Sequence, residues 1–286
     1  MSEHILAHLA RADAVLAGVI RAVGPCGLEP QSDCHPFQSL AQAIAHQQLN
    51  RIAANTILGR LIDTCGRGAF PTPQMVLAAS AASLRGAGFS LAKVAALRDL
   101  AEKTLAAVVP DAAALQQLSD EEIIARLTRV RGIGRWTVEM LLMFQLGRPD
   151  VLPVDDFGVR AGFRAAYGLA RLPRPKALAA WGERWKPYRS TAAWYLWRAL
   201  ELKRAGTLPL PAERIRLPRV GKVRRTRRAQ PAGAGRRAKR PRVAARAARA
   251  SLRGGAASSA PPRRSDARTG SRRHRALRSR APGSRR

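Results

Sequence analysis

The chain has 286 residues, with 51 Lys and Arg against 19 Asp and Glu, which gives a formal net charge of +32. The sequence contains no run of about 18 apolar residues, which argues against a membrane-spanning helix and a membrane partner. Its three cysteines form no C-x-x-C pair, which argues for a reducing compartment and against zinc or iron–sulfur binding. A strongly basic chain of this kind is expected to have an anionic partner, and nucleic acid is the simplest one.

The charge is concentrated at the C-terminal end. Residues 207–286 contain 26 Lys and Arg and two acidic residues, whereas all 14 aromatic residues lie at or before Trp197. We therefore predict a folded body over 1–206 and a disordered Arg-rich tail over 207–286, because the tail has too few apolar residues to offset chain entropy. The tail either adds non-specific phosphate contacts or has no dedicated role.

The body is predicted to be all-α, in two lobes, because Ala and Leu dominate and alternating β-branched residues are scarce. In chain order, Pro36 is expected to open one long helix that Gly66 closes. Ser90 is expected to cap the next long helix, and Ser119 and Glu122 form a capping box. Later helices are predicted at RWTVEMLLMFQLG, at FGVRAGFRAAYG and within LAAWGERWKPYRSTAAWYLWRALEL.

Two short segments suggest chemistry. In RGIG (131–134), glycines flank Ile133 in a hairpin between two helices, and the free N–H groups of the second helix can hold a phosphate. About twenty residues later, Asp155 and Asp156 follow the extended segment VLPV and precede another helix. A carboxylate at a helix N-terminus is kept ionised by the helix dipole and can stabilise a developing cation or orient a water molecule. One of the two is expected only to cap the helix.

These segments resemble the helix–hairpin–helix DNA glycosylase superfamily, and within it the 3-methyladenine DNA glycosylase II family in a short form without the N-terminal β domain. Five motifs in order support the resemblance over residues 35–205: AIAHQQL (43–49), LRGAGFSLAK (84–93), LTRVRGIGRWTVEML (127–141), DVLPVDDFGVR (150–160) and ERWKPYRS (183–190).

The resemblance implies an all-α, two-lobed fold with the catalytic cleft between the lobes, and a hydrolase that removes alkylated purines from double-stranded DNA. It identifies Asp156 as the carboxylate that stabilises the oxocarbenium-like transition state and positions water, which leaves Asp155 as the capping or supporting neighbour. Trp136 stands where bifunctional relatives have a lysine, so no lyase activity is expected. Related positions place Trp136 and Trp197 around the extruded base, together with Met140, which replaces a tyrosine of the family. Tyr195, close to Trp197 in sequence, is expected to contribute to the same pocket.

The same resemblance implies DNA contacts along the hairpin, at Gly132, Ile133, Gly134, Arg135 and Thr137. Gln48 is the expected residue that fills the gap left by the extruded nucleotide; the alternative is a solvated helix face. The hairpin is also expected to bind Na⁺ or K⁺ through the carbonyls of Thr128, Val130 and Ile133, with no other cofactor.

We expect a cytoplasmic, nucleoid-associated monomer. Two other functions remain open: a glycosylase for another lesion, such as 8-oxoguanine or hypoxanthine, and a non-catalytic DNA-binding protein.

Overall fold

The computed structural model describes residues 3–30, 35–209, 211, 215 and 217. These residues form thirteen α-helices and no strand, so the all-α prediction is confirmed for them. The helices are α1 (Glu3–Ala12), α2 (Ala14–Val23), α3 (Pro36–His46), α4 (Arg51–Leu61), α5 (Pro73–Ala78), α6 (Ala81–Gly86), α7 (Leu91–Leu105), α8 (Ala112–Gln117), α9 (Asp120–Leu127), α10 (Arg135–Phe144), α11 (Phe157–Ala166), α12 (Pro175–Gly182) and α13 (Arg189–Ala205). A π-helical turn (Ile62–Gly66) follows α4, and a 3₁₀ turn (Glu183–Trp185) follows α12. No helix within the described ranges is both long and apolar enough to cross a membrane.

Short polar side chains begin many of the helices, because their oxygens accept the first free N–H groups of the helix backbone. Ser90 accepts a hydrogen bond from Lys93 N at the start of α7. Ser119 and Glu122 form the predicted capping box of α9. Both predicted caps are thus confirmed.

The long helix predicted from Pro36 to Gly66 is wrong: the chain breaks it into α3 and α4. Between them Gln48 adopts a left-handed backbone conformation, with φ of 59°. Asn50 then caps α4 by accepting a hydrogen bond from Ala53 N at 2.9 Å. The helical spacing of the apolar residues continues across this break, which is why periodicity alone did not detect it.

The helices pack in two groups. The middle group joins α3 to α4, α7 and α10, and α9 to α10, whereas the terminal group joins α2 and α11 to α13, and α1 to α2. Both groups contribute to one continuous hydrophobic core, which includes Ile44 and Leu97 from the first and Phe163 and Trp185 from the second. This arrangement agrees with the two-lobed fold that the resemblance implies.

The folded body extends beyond the predicted boundary at residue 206. Leu208, Ile215 and Leu217 are partly buried against the hydrophobic core. A Cβ atom on Gly168 would lie 3.1 Å from Pro211 Cγ, so Pro211 also packs on the body. The described residues after 206 therefore belong to one compact unit, Met1–Arg224. The predicted disordered tail lies otherwise outside the described residues.

Candidate active site

Asp156 is the N-cap of α11. Its Oδ1 accepts a hydrogen bond from Val159 N at 2.7 Å, and Asp156 N donates to Pro153 O at 3.0 Å. Asp155, by contrast, is exposed. The expectation that Asp155 caps the helix is therefore wrong: the same carboxylate that is predicted to be catalytic performs the capping.

Two indoles hold the Asp156 carboxylate from different helices. Trp197 Nε1 on α13 donates to Oδ1 at 2.9 Å, and Trp136 Nε1 on α10 donates to Oδ2 at 2.7 Å. Together with Val159 N, three N–H donors face one carboxylate and stabilise its negative charge. The geometry fixes the orientation of the carboxylate relative to both groups of helices.

Two glycines in α11 permit this arrangement. A Cβ on Gly162 would lie 1.8 Å from the Leu196 carbonyl oxygen, so only glycine allows α11 and α13 to approach this closely. A Cβ on Gly158 would lie 2.7 Å from Trp197 Cδ1 and 3.1 Å from Asp156 Oδ1. Glycine at these positions therefore lets the Trp197 indole lie directly against the first turn of α11.

A cavity of about 570 Å³ lies between α3 and α10. Asp156 is not one of its lining residues, but Trp136, which donates to the carboxylate, lines it. Its α10 side presents Trp136, Thr137, Met140 and Phe144. Trp136 is 49 % exposed, and Phe144 stacks on Trp197 with ring centroids 5.8 Å apart. The volume falls within the range of ligand pockets. The α3 side of the cavity is formed by Ser39, Leu40, Gln42, Ala43 and His46.

The structure brings Trp136, Trp197 and Met140 to this region but not Tyr195. Tyr195 is fully buried, and its hydroxyl donates to Gly24 O, at the end of α2, at 2.8 Å. Burial raises the pKa of Tyr195 to about 12. The prediction that Tyr195 contributes to the base pocket is thus corrected, because it packs within the terminal group of helices.

The hairpin between α9 and α10 has the predicted form. Gly132 has a φ of +77°, which favours glycine. Ile133 is 4 % exposed and anchors the turn in the core. Gly134 begins α10 without a side-chain cap, so the first N–H groups of α10, towards Thr137, remain available to an anion such as a DNA phosphate.

Two side chains hold the hairpin, one directly after α3 and one on α7, and sequence reasoning missed both. Gln47 Nε2 donates to Gly132 O at 2.8 Å, and Arg131 N donates to Asp99 Oδ2 at 2.6 Å. Burial acts to raise the pKa of Asp99, but the Arg131 N–H and the Lys103 ammonium outweigh it, so that this pKa lies below its ordinary value. The motif AIAHQQL contains Gln47 and could have suggested it; no local pattern distinguishes Asp99.

Arg135 lies at the start of α10, near the expected phosphate position, and forms ion pairs with two acidic side chains. Its guanidinium pairs with Glu121 at 2.6 Å and with the buried Glu139 at 3.0 Å. Burial raises the pKa of Glu139, although Arg135 opposes that rise. The hydrogen bond from Arg135 lowers the pKa of Glu121. Arg135 therefore stabilises the start of α10, and its predicted contact with DNA stays a prediction.

Gln48 is exposed in the loop between α3 and α4 and also lines the cavity. The alternative of a solvated helix face is excluded, because Gln48 does not lie in a helix. An exposed loop tip beside the cavity suits a residue that enters the gap in DNA, and this role stays a prediction.

The hairpin backbone is compatible with the expected monovalent cation. Val130 O accepts a hydrogen bond from Ile133 N at 3.1 Å, and a carbonyl oxygen has a second lone pair for a cation. Thr128 caps the end of α9, with its Oγ1 donating to Ile124 O at 2.6 Å, so its own carbonyl is not involved in that contact. The set Thr128, Val130 and Ile133 stays a prediction.

Comparisons with known proteins agree with this geometry. Residues 41–187 match the family model of the HhH-GPD superfamily base excision DNA repair proteins. The chain is 41 % identical over 167 residues to DNA-3-methyladenine glycosylase 1 of Schizosaccharomyces pombe, which covers 58 % of this chain and 73 % of that protein.

Two solved structures have the same fold. One is the S. pombe 3-methyladenine DNA glycosylase in complex with abasic DNA, with a TM-score of 0.61, 37 % identity, and coverage of 68 % of this chain and 95 % of that one. The other is the DNA-3-methyladenine glycosidase of Bacillus halodurans, with a TM-score of 0.65, 34 % identity, and coverage of 71 % and 92 %. The hairpin, the capped carboxylate and the matched family model together show that the chain belongs to the HhH-GPD superfamily of base excision DNA repair proteins.

Proposed function

We propose that this protein is a monofunctional DNA glycosylase that hydrolyses the N-glycosidic bond of alkylated purines in double-stranded DNA, with the broad range of a type II enzyme. The observation that carries the proposal is the Asp156 carboxylate, which is held by Trp136 and Trp197. Trp136 also lines a cavity whose α10 wall is aromatic. The relatives named above as 3-methyladenine glycosylases support alkylated purines as the substrates.

The chemistry follows from the charges. A purine methylated at N3 or N7 is cationic, and an electron-rich indole such as Trp136 attracts a cation at its face. As the glycosidic bond breaks, the sugar acquires positive charge, which the anionic Asp156 stabilises. Within the residues that the structure describes, Asp156 Oδ2 accepts one hydrogen bond, from Trp136, and so retains a lone pair with which to orient a water molecule. The charged base leaves without needing a strong general acid.

The absence of lyase activity is also proposed. Strand cleavage by such enzymes requires an amine that forms a Schiff base with the sugar. Among the described residues that line the cavity there is no lysine. Lys93, on α7, instead donates to Ala45 O at 2.8 Å.

The first experiment measures release of radiolabelled bases from methylated duplex DNA by the full-length protein and by Asp156→Asn. Asparagine keeps an oxygen for the cap but removes the charge, so release should fall by at least about 10²-fold. Asp155→Asn, an exposed neighbour, is the matched control and should retain activity. If Asp156→Asn releases 3-methyladenine as fast as wild type, the proposed mechanism is wrong.

The same reactions test the remaining parts of the proposal. Borohydride should trap no covalent protein–DNA adduct, and the strand should break only after alkali treatment. Gel filtration with light scattering should show a monomer. Cell fractionation should place the protein in the cytoplasm with the nucleoid, where its DNA substrate lies.

A further inference from the structure

The α3 wall of the cavity presents polar side chains at helical spacing. Ser39, Gln42 and His46 follow one another at intervals of three and four residues, so they lie on one face of α3. They line the same cavity as Trp136 and Met140 on α10. The hydrogen-bonding groups of a purine lie on its edges, so polar side chains in the wall of this cavity are candidates for contacts with those edges.

Gln42 and His46 differ from the other polar groups near the cavity. Ser39 Oγ donates to Gln145 Oε1 at 3.4 Å, and Gln47 donates to Gly132 O. In contrast, the half-buried Gln42 and His46 side chains have no hydrogen-bond partner within the described part of the chain. Half-buried polar groups that lack partners in the free protein are well placed to bond to a ligand.

We propose that Gln42 and His46 are specificity-determining residues that hydrogen-bond the edge of the extruded purine; this inference rests on the proposed glycosylase function. An amide and a neutral imidazole each offer both a donor and an acceptor. Adenine carries an amino donor at its 6-position, and guanine a carbonyl acceptor. Such a wall accepts both types, so the substrate class is alkylated purines with either group at that position.

The test replaces the Gln42 amide, which both donates and accepts, with a carboxylate, which only accepts. Full-length wild type and Gln42→Glu are compared for single-turnover release of 3-methyladenine and 7-methylguanine from duplex DNA. Both bases are cationic, so the added charge affects both and cancels in their ratio. The carboxylate still accepts from the adenine amino group but faces the guanine carbonyl without a donor. The ratio of 3-methyladenine to 7-methylguanine release should therefore rise about tenfold or more.

Gln38→Glu is the matched control, because it adds the same charge to α3 one turn before Gln42 but does not line the cavity. Its ratio should equal that of wild type. His46→Gln keeps a donor and an acceptor and should release both bases, whereas His46→Leu should slow the release of both. DNA affinity and circular dichroism, measured for every variant, confirm that each is folded.

The outcomes separate this inference from the proposed function. If wild type releases neither base, the alkylpurine function is wrong. If wild type releases both bases but Gln42→Glu leaves their ratio unchanged, or Gln38→Glu shifts it equally, the specificity role of Gln42 is overturned. If His46→Leu retains the wild-type rates for both bases, the role of His46 is overturned.

Discussion

Gly158 packs so closely against Trp197 and Asp156 that adding one methyl group there should disturb the site. In Gly158→Ala the new Cβ would lie 2.7 Å from Trp197 Cδ1, 2.9 Å from Trp197 Nε1 and 3.1 Å from Asp156 Oδ1. The first distance is about 0.7 Å short of an ordinary contact of 3.4 Å. Because Gly158 lies in the first turn of α11 and Gly162 fixes that helix against α13, the indole has to move rather than the backbone.

Movement of the indole breaks or lengthens its 2.9 Å hydrogen bond to Asp156 Oδ1. A misplacement approaching 1 Å at a reacting group lowers the rate by about 10²-fold. We therefore expect single-turnover release of 7-methylguanine by Gly158→Ala to fall by about 10²-fold, with affinity for undamaged duplex DNA unchanged. Release at saturating enzyme and fluorescence anisotropy measure the two quantities separately.

Gly59→Ala in α4 is the control, since its Cβ meets no atom within 4 Å. Alanine is the better helix former by about 1 kcal/mol, so this variant should be slightly more stable and fully active. A wild-type release rate for Gly158→Ala would refute the reasoning. A loss of activity explained entirely by weaker DNA binding would refute it equally.

Three further variants test the surrounding structure. Asp99→Asn should destabilise the protein by about 1.5–3 kcal/mol at pH 6, because the hydrogen bonds to Arg131 N and Lys103 are made by a charged group. The pKa of Asp99 is lower in the folded protein than in the unfolded chain. The loss of stability should therefore be full above the ordinary Asp pKa of about 3.9 and should fade as the pH falls through the lowered value. Urea unfolding at several pH values measures this loss, and a loss that grows towards low pH would contradict the role given to the Asp99 carboxylate. Tyr195→Phe should cost about 1 kcal/mol of stability through the lost bond to Gly24 O but leave base release unchanged, whereas a change in lesion preference would restore Tyr195 to the pocket. Truncation after residue 206 should lower the free energy of unfolding by about 3 kcal/mol relative to truncation after residue 224, because it removes three partly buried side chains, Leu208, Ile215 and Leu217. Equal thermal stability of the two fragments would instead support the boundary at residue 206 that the sequence predicts.

The parts of the site that the sequence predicted are those encoded locally. Gly132, Ile133 and Gly134 form the hairpin within a few residues, and Ser119 caps α9 through its own first turn. Asp156 precedes a helix, which is sufficient to place its carboxylate at the N-terminus. None of these features depends on which other helix lies nearby.

The error at Tyr195 concerns tertiary packing. Tyr195 and Trp197 stand two residues apart in WYLW, and the helical repeat directs them to different faces of α13. Which face meets α11 is decided by the close approach of Gly162 to the Leu196 carbonyl, a contact between segments more than thirty residues apart. The pattern of aromatic residues in α13 could not specify it. The break before α4 is different, because Asn50 was a recognisable N-cap that the continuous apolar spacing obscured.

Asp13 shows why a carboxylate at a helix start does not by itself indicate catalysis. Asp13 caps α2 through two backbone N–H groups, and its Oδ2 accepts from Tyr167 Oη at 2.6 Å and from the indoles of Trp181 and Trp185 at 3.0 Å. A carboxylate has about four lone-pair sites, so these five donors leave it no capacity for a ligand, and it is only 5 % exposed. Asp156 is built from the same parts, a cap and two indoles, but it accepts three hydrogen bonds and is half-buried. Both properties follow from the fold. Spare hydrogen-bonding capacity and exposure distinguish a carboxylate that can stabilise a transition state from Asp13, which joins α2 to three other segments.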